Sequence, residues 1–191
     1  MSDWPFGPLK LFGYDIIMAD PPWKFSNWSE KGEAKNAAAQ YQCMELADIK
    51  SLPVGMLARK DCLLWLWATN PMLPQALEVI KAWGFTYKTA GTWLKQTPTG
   101  KPAFGTGYIL RSSTEPFLIA TMGAPTTARN VRSVVHGPVR EHSRKPEEGY
   151  RAAEALIPNA LHRADLFSRQ SRPGWDAWGN ETGKFDEEAA A

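Results

Sequence analysis

Cysteine and histidine are scarce in this chain, with two Cys and three His among 191 residues. Cys43 and Cys62 cannot build a disulfide framework, and their spacing matches no zinc pattern, so disulfide-scaffold and zinc-module classes fall away. Thiols left free point by default to a cytosolic compartment. Long apolar runs are missing as well. None approaches the ~18–20 residues that cross a bilayer, and Met1-Ser2-Asp3-Trp4 lacks the basic-then-apolar order of a secretory signal. No membrane partner and no bound metal are expected. There is no internal repeat. Nor is there an early G-x-G-x-x-G; Gly105-Thr106-Gly107 is too short and follows the wrong kind of segment.

What is present describes a folded domain. Hydrophobic residues make up 43% and charged residues 22%, which excludes global disorder. The length suits one domain with one sizeable core. Residues 1–185 are read as that domain and 186–191 as a disordered tail. The net charge of +2 is unevenly spread. Residues 129–172 hold nine Lys/Arg against five Asp/Glu, whereas residues 173–191 hold one against five. A basic stretch of this kind faces either solvent or an anion. The nine tryptophans are several times an ordinary share. Most are expected in the core, and a minority could be stacking platforms.

The pattern alternates strands and helices. Residues 14–19 form a short β-prone run stopped by Pro21-Pro22. Residues 24–42 read as a long polar loop. Short helices are expected at 45–51 and 53–59, and a central strand at 62–68. A helix at 72–83 follows, with Leu73, Leu77, Ile80 and Trp83 on one face and Gly84 closing it. Strands are expected at 85–95 and 116–121, and an irregular basic segment at 124–144. A helix at 146–157 begins with Pro146, Glu147 and Glu148. A last strand at 164–167 precedes a frayed end over 184–191. This order predicts an α/β domain with a mostly parallel sheet and helices on both faces. Ligands of such sheets bind beyond the carboxyl ends of the strands.

Asp20-Pro21-Pro22-Trp23 stands at such an end. A carboxylate lies just outside the ladder, two prolines remove N–H donors so that nearby carbonyls can point at a ligand without a competing local hydrogen bond, and an indole follows. The set suits a planar ring with an exocyclic amine. Asp20 accepts one amine hydrogen, a prolyl-region carbonyl accepts the other, and Trp23 stacks on the ring. A strand-ending turn with a buried tryptophan is the plainer alternative.

Asp-Pro-Pro-Trp after an apolar strand resembles the signature of amino-directed, S-adenosylmethionine-dependent methyltransferases. Met18 through Trp23 is similar to the methyltransferase-like (METTL) N6-adenine branch. Leu64-Trp65-Leu66-Trp67-Ala68-Thr69-Asn70, Gly105-Thr106-Gly107-Tyr108 and Glu115-Pro116-Phe117-Leu118-Ile119 match further elements of that family. So do Ser143-Arg144-Lys145-Pro146-Glu147, Leu166-Phe167-Ser168-Arg169, and Trp175 through Gly179-Asn180-Glu181. They occur in the family's order from about residue 12 to 185.

The resemblance implies a Rossmann-like methyltransferase fold in permuted motif order. It implies methyl transfer from S-adenosylmethionine to adenine N6 in nucleic acid, DNA favoured and RNA the alternative. Asp20, Pro21, Pro22 and Trp23 would be catalytic. Lys145, Asp165, Arg169, Asn180 and Glu181 would hold the cofactor. Arg129, Arg132, Arg140 and Arg144 would contact phosphates, with Trp28, Tyr41 and Arg111 on the substrate and the loops 24–42 and 104–113 gating the pocket. With no recognition domain in view, a homodimer or a partner subunit is expected to supply further surface. A non-catalytic subunit of the same fold that binds nucleic acid is the second reading, and a Trp-rich sugar-binding domain the third.

Overall fold

The computed structural model describes residues 4–24, 43–107, 109–140 and 144–186. Its centre is a seven-stranded sheet in the order β5-β3-β4-β2-β1-β6-β7. The strands are β1 (Tyr14–Ala19), β2 (Ala58–Trp67), β3 (Thr86–Gln96), β4 (Thr114–Met122), β5 (Val134–Pro138), β6 (Arg163–Leu166) and β7 (Asp176–Trp178). Every neighbouring pair is parallel except β2–β4 and β3–β4, so β4 alone runs backwards. Among the described residues three α-helices accompany the sheet: α1 (Leu46–Ser51), α2 (Leu73–Ala82) and α3 (Glu147–Leu156).

The two faces of the sheet carry separate cores. Ile17, Ala19, Leu64 and Leu66 pack with Ile49 of α1 and Ala76, Val79 and Ile80 of α2. Ile16, Met18, Leu63, Trp65 and Trp67 pack on the other face with Tyr150 and Ala153 of α3. Strands buried on both sides need apolar residues at successive positions, which is why β1 and the second half of β2 read as unbroken runs. The fold is thus the mostly parallel α/β arrangement with helices on both faces, of Rossmann-like type.

Several local readings are revised. The helix expected over 53–59 is a single 3-10 turn, Val54–Leu57, because Ala58 is already paired with Tyr14 in the β1–β2 ladder. In α2 the buried stripe is Ala76, Val79 and Ile80, with Trp83 just after it, while Leu77 is exposed. The segment 124–144 is not wholly irregular: β5 lies within it and pairs with β3, Val135 opposite Trp93. Pro138 is tolerated there because β5 is an edge strand. The three-residue β7 also escapes the sequence pattern. Phe185 is buried although it falls in the stretch read as frayed. Residues 187–191 lie outside the described residues.

The tryptophans are mostly structural. Trp23, Trp65, Trp67, Trp83, Trp93 and Trp175 are buried. Trp83 Nε1 donates to the Ile49 carbonyl at 2.8 Å and Trp93 Nε1 to the Gly137 carbonyl at 2.9 Å, each tying an element to its neighbour. Trp28 lies outside the described residues.

Phe117 stacks on Trp65 with ring centroids 4.0 Å apart, and this stack rests over Gly91 of β3. A Cβ at Gly91 would lie 2.2 Å from Phe117 Cζ and 2.5 Å from the Ser133 carbonyl oxygen. The ring could turn, but the backbone carbonyl belongs to the approach of β5 and cannot. Gly91→Ala is therefore expected to destabilise the fold by about 1–3 kcal/mol, measured by urea unfolding. An unchanged midpoint would contradict this packing.

Candidate active site

Asp20 follows the last residue of β1, and its backbone N–H donates to the Leu166 carbonyl of β6 at 3.3 Å. The chain leaves β1 on one side to form β2 and returns on the other side as β6. That reversal is the topological switch point, where helices of opposite faces diverge and leave a crevice. A crevice of about 310 Å³ opens there. Asp20, Pro21, Pro22 and Met44 form one wall, and Phe167, Arg169 and the run Trp178-Gly179-Asn180-Glu181 form the other.

The second wall depends on a bend. Phe167 follows β6 in the left-handed region with φ 62°, a conformation that non-glycine residues rarely adopt. It turns the chain out of the ladder, so that Ser168 N–H donates to the Trp178 carbonyl at 2.9 Å and Arg169 reaches the crevice. Close contact of Gly179 with Ser168 locks the two segments together. A Cβ there would sit 2.7 Å from the Ser168 carbonyl oxygen.

Six of the sequence-predicted residues therefore meet in one crevice: Asp20, Pro21, Pro22, Arg169, Asn180 and Glu181. Arg169 Nε lies 2.6 Å from Glu181 Oε2, and Glu181 also pairs with Lys184. Lys145 and Asp165 lie deeper. Together with Asp20, Arg144 and Arg169 they border a small hollow of about 30 Å³.

Two expectations about the tetrapeptide change. The prolyl carbonyls are not left without local partners: Pro21 O accepts from Trp23 N–H at 2.8 Å and Pro22 O accepts from Met44 N–H at 3.0 Å. Each oxygen keeps one further lone pair for a ligand. Trp23 is only 4% exposed, and its indole N–H donates to the Trp67 carbonyl at 3.2 Å. Its flat face is covered by the core, so it braces the loop rather than presenting a stacking surface.

The charges are arranged around Asp20. Lys145 Nζ lies 2.6 Å from Asp20 Oδ2 and 3.0 Å from Glu115 Oε1, and Lys95 Nζ lies 2.7 Å from Glu115 Oε2. Burial pushes the Asp20 carboxyl above its usual range against the pull of Lys145, and the Glu115 charge adds to the rise. Burial works against the Lys145 ammonium too, but Asp20 and Glu115 outweigh it and hold its pKa above the ordinary value. Glu115, also buried, is held below its usual range by Lys145 and Lys95.

Asp165 anchors the floor. Its Oδ2 accepts from Tyr150 Oη at 3.0 Å and from Ser168 Oγ at 2.9 Å, with Arg172 Nη1 at 3.6 Å. Burial raises its pKa to about 6 despite these partners. It sits inside this network and does not line the larger crevice.

The residues assigned to nucleic acid are scattered. Arg129 and Arg132 lie between β4 and β5. Because β4 is antiparallel, its end delivers the chain to the amino ends of the parallel strands, away from Asp20. These two do not border the crevice. Arg140 is at the right end, but its Nη1 pairs with Glu147 at 2.7 Å. Arg144 Nε donates to Gln170 Oε1 at 2.8 Å. Arg111 lies on the exposed loop between β3 and β4, with Nη1 donating to the Gly107 carbonyl. Trp28 and Tyr41 lie outside the described residues. Sequence reasoning missed Glu115 and Lys95 as parts of the charge cluster, and Met44 and Phe167 as crevice walls; Trp178 it had placed at the cofactor end. The one signal was a glutamate heading the apolar run 116–121 that becomes β4.

A carboxylate at the switch point of a parallel sheet, facing a cation-bearing wall, defines a Rossmann-like domain with a ligand crevice. The comparisons agree: residues 14–181 match the MT-A70 family, and the chain belongs to it. It is 29% identical over 198 residues to the type II methyltransferase M.MunI of Mycoplasma sp, covering 94% of this chain and 82% of that protein. It is 31% identical to an MT-A70-like N(6)-adenosine-methyltransferase of Arabidopsis thaliana, covering 91% of this chain but 24% of that protein. With the human N(6)-adenine-specific methyltransferase METTL4 it shares 26% identity, over 90% of this chain and 38% of that protein. Among the described residues no helix is long and apolar enough to cross a membrane, and no cluster of metal-ligating side chains occurs.

Glu147 fixes the start of α3 through Arg140 and Arg172, with Arg172 Nη2 2.7 Å from its Oε1. Burial disfavours its charge, but the two guanidiniums prevail and draw its pKa from 4.5 down to about 2. A carboxyl depressed in the folded state stabilises above its unfolded pKa, and that contribution is lost as pH falls from 4.5 towards 2. Glu147→Gln is expected to lower the thermal midpoint at pH 7 and to flatten its fall between pH 4.5 and 2. Circular dichroism melts across that range check this. An unchanged slope would remove Glu147 from the account.

Proposed function

We propose that this chain is an S-adenosylmethionine-dependent methyltransferase that places a methyl group on adenine N6 in nucleic acid, with DNA the favoured substrate. The observation that carries the reading is Asp20, a carboxylate at the switch-point crevice backed by a buried ammonium. Membership of the MT-A70 family and the relatives named as N6-adenine and N6-adenosine methyltransferases support it. DNA is favoured because similarity to the type II methyltransferase spans most of both proteins. Relatives named for adenosine or RNA methylation support RNA as the alternative.

The crevice suits the cofactor. At about 310 Å³ it lies in the usual range of ligand sites. Arg169 offers a guanidinium to a carboxylate or ribose oxygen, Asn180 and Glu181 offer groups for hydroxyls, and Met44, Phe167 and Trp178 supply apolar surface. The bound cofactor supplies a methyl group carried on a sulfonium. Asp20 then has two tasks. Its carboxylate accepts a hydrogen bond from the adenine amine and holds N6 in line with the methyl group. It also stands where the proton lost by N6 on methylation can be received. The remaining lone pair of a prolyl carbonyl takes the second amine hydrogen. An adenine inside a duplex must leave the stack to reach Asp20, whereas a single strand avoids that cost.

A homodimer or partner subunit belongs to the same proposal. Phe104, Ile109 and Leu110 stand on the loop that rises from the crevice end of β3, and all are at least 82% exposed. Apolar side chains presented to this extent favour a covering surface.

The test uses S-adenosylmethionine with an isotope-labelled methyl group and matched DNA and RNA oligonucleotides. Label on adenine N6, mainly in DNA, is the expected result, and label on cytosine would overturn the base assignment. Asp20→Ala is expected to lower the rate by roughly 100-fold or more. Calorimetric affinity for S-adenosylmethionine should change little, since Arg169, Asn180 and Glu181 remain. Full activity in Asp20→Ala would overturn the role given to Asp20.

A further inference from the structure

The antiparallel course of β4 has a chemical result. Its first residues, not its last, lie at the carboxyl ends of the parallel strands, and Glu115 is the second residue of β4. Its side chain is 13% exposed and does not line the crevice. Its two oxygens are divided between two ammoniums, Oε2 on Lys95 at 2.7 Å and Oε1 on Lys145 at 3.0 Å. Lys145 in turn has Asp20 Oδ2 at 2.6 Å. The result is a row of alternating charges, Lys95, Glu115, Lys145, Asp20, that runs from strand to strand beneath the crevice. Lys95 lies 4.9 Å from the Trp93 ring centre and Lys145 5.7 Å from that of Trp67, so aromatic faces flank both cations.

Such a row answers a problem set by the site. Asp20 is buried enough to need a counter-charge. Lys145 meets Asp20 at Oδ2; an ammonium drawn wholly onto Asp20 would spread across both oxygens and take up Oδ1, the acceptor open to the adenine amine. A neutral amine competes poorly with a charge-assisted bond, so Oδ1 stays open to it while the ammonium has a second acceptor.

We propose that Glu115 is a positioning residue for methyl transfer: it shares the Lys145 ammonium and so leaves an Asp20 oxygen available to the adenine amine. This rests on the reading of the chain as an N6-adenine methyltransferase. Lys95 completes the device by holding the far oxygen of Glu115, which prevents Glu115 from drawing Lys145 away entirely. Among the described residues, the charged or titratable groups that act on Asp20 besides Lys145 and Glu115 include Arg169 after β6, Asp165 on β6 and Tyr150 on α3. All three stay in place in the variants below.

Two substitutions act in opposite directions. Glu115→Gln removes a negative charge near Asp20 and returns Lys145 to it. Asp20 then ionises more readily, so the acid limb of the kcat–pH profile moves to lower pH, while kcat at its plateau falls about tenfold as the amine loses its acceptor. Lys95→Met frees Glu115 to take more of Lys145 and removes a positive charge, so the acid limb moves to higher pH. Affinity for S-adenosylmethionine, measured by calorimetry, should stay within about threefold in both, because the cofactor wall is untouched.

Methyl transfer to an adenine-containing DNA oligonucleotide, measured across pH with the full chain, is the experiment. Limbs displaced in opposite directions, together with the lowered plateau kcat of Glu115→Gln, support the proposal; an unchanged plateau, which a charge effect alone would leave, overturns it. An unmoved limb in Glu115→Gln, or displacement of both limbs in one direction, overturns it, since a merely structural role lowers activity at every pH alike. Should Glu115→Gln fail to fold, Lys95→Met decides alone: a limb that does not rise overturns the proposal. The unaltered chain separates the two levels. If it transfers no methyl to adenine, the parent reading fails and this one with it. If it does so normally and the variants keep its limb, only the role of Glu115 fails.

Discussion

An ionised carboxylate just beyond a strand end, partly withdrawn from water, is costly unless a cation meets it. The contact between Asp20 and Lys145, 2.6 Å long, satisfies that need and joins distant parts of the chain. Asp20 directly follows β1, while Lys145 stands two residues before α3. α3 itself is held at its start by Glu147 between Arg140 and Arg172, and Tyr150 of α3 donates to Asp165 on β6. The placing of one carboxylate therefore draws on β1, β4, β6 and α3 together.

Sheet order determines why the site lies where it does. β1 has β2 on one side and β6 on the other, so the chain departs from it in both directions. α1 and α2 cover one face and α3 the other, and the crevice forms where they part. The left-handed residue Phe167 then brings Arg169 to the opening, and Gly179 allows the 178–181 segment to close against it. The crevice is consequently built from backbone direction and close approach, with few side chains spent on shape. That economy leaves Asp20, Arg169, Asn180 and Glu181 to deal with a ligand.

The legible parts of the fold were those with local causes. β1 was visible as an unbroken apolar run ended by two prolines, and α3 as a helix opened by Pro146 and two glutamates. β5 and β7 were not, because an edge strand draws its stability from its neighbour and carries little pattern of its own. The extent of α2 was readable but its buried stripe was not, since Leu77 fits a helical face as well as Ala76 does. At the site, Asp20, Arg169, Asn180 and Glu181 were found through the order of motifs, and the structure brings them together. The basic stretch is not gathered at one place. Arg129 and Arg132 are close in sequence to Arg144, but the reversal at β4 puts them at the other end of the sheet. That same reversal hides Glu115: a glutamate at the head of an apolar run says nothing of a lysine thirty residues on.

The central claim is that the crevice beside Asp20 receives both the adenine amine and the methyl donor. A crystal structure with a bisubstrate analogue, in which adenine N6 is joined covalently to an S-adenosylmethionine-like group, tests it most directly. The expected result places the joining nitrogen within about 3 Å of an Asp20 carboxylate oxygen, with the cofactor portion against Arg169 and Asn180. An analogue seated elsewhere, such as the hollow bordered by Trp65, Phe117 and Leu156 on the α3 face, or one whose nitrogen is turned away from Asp20, would contradict the account.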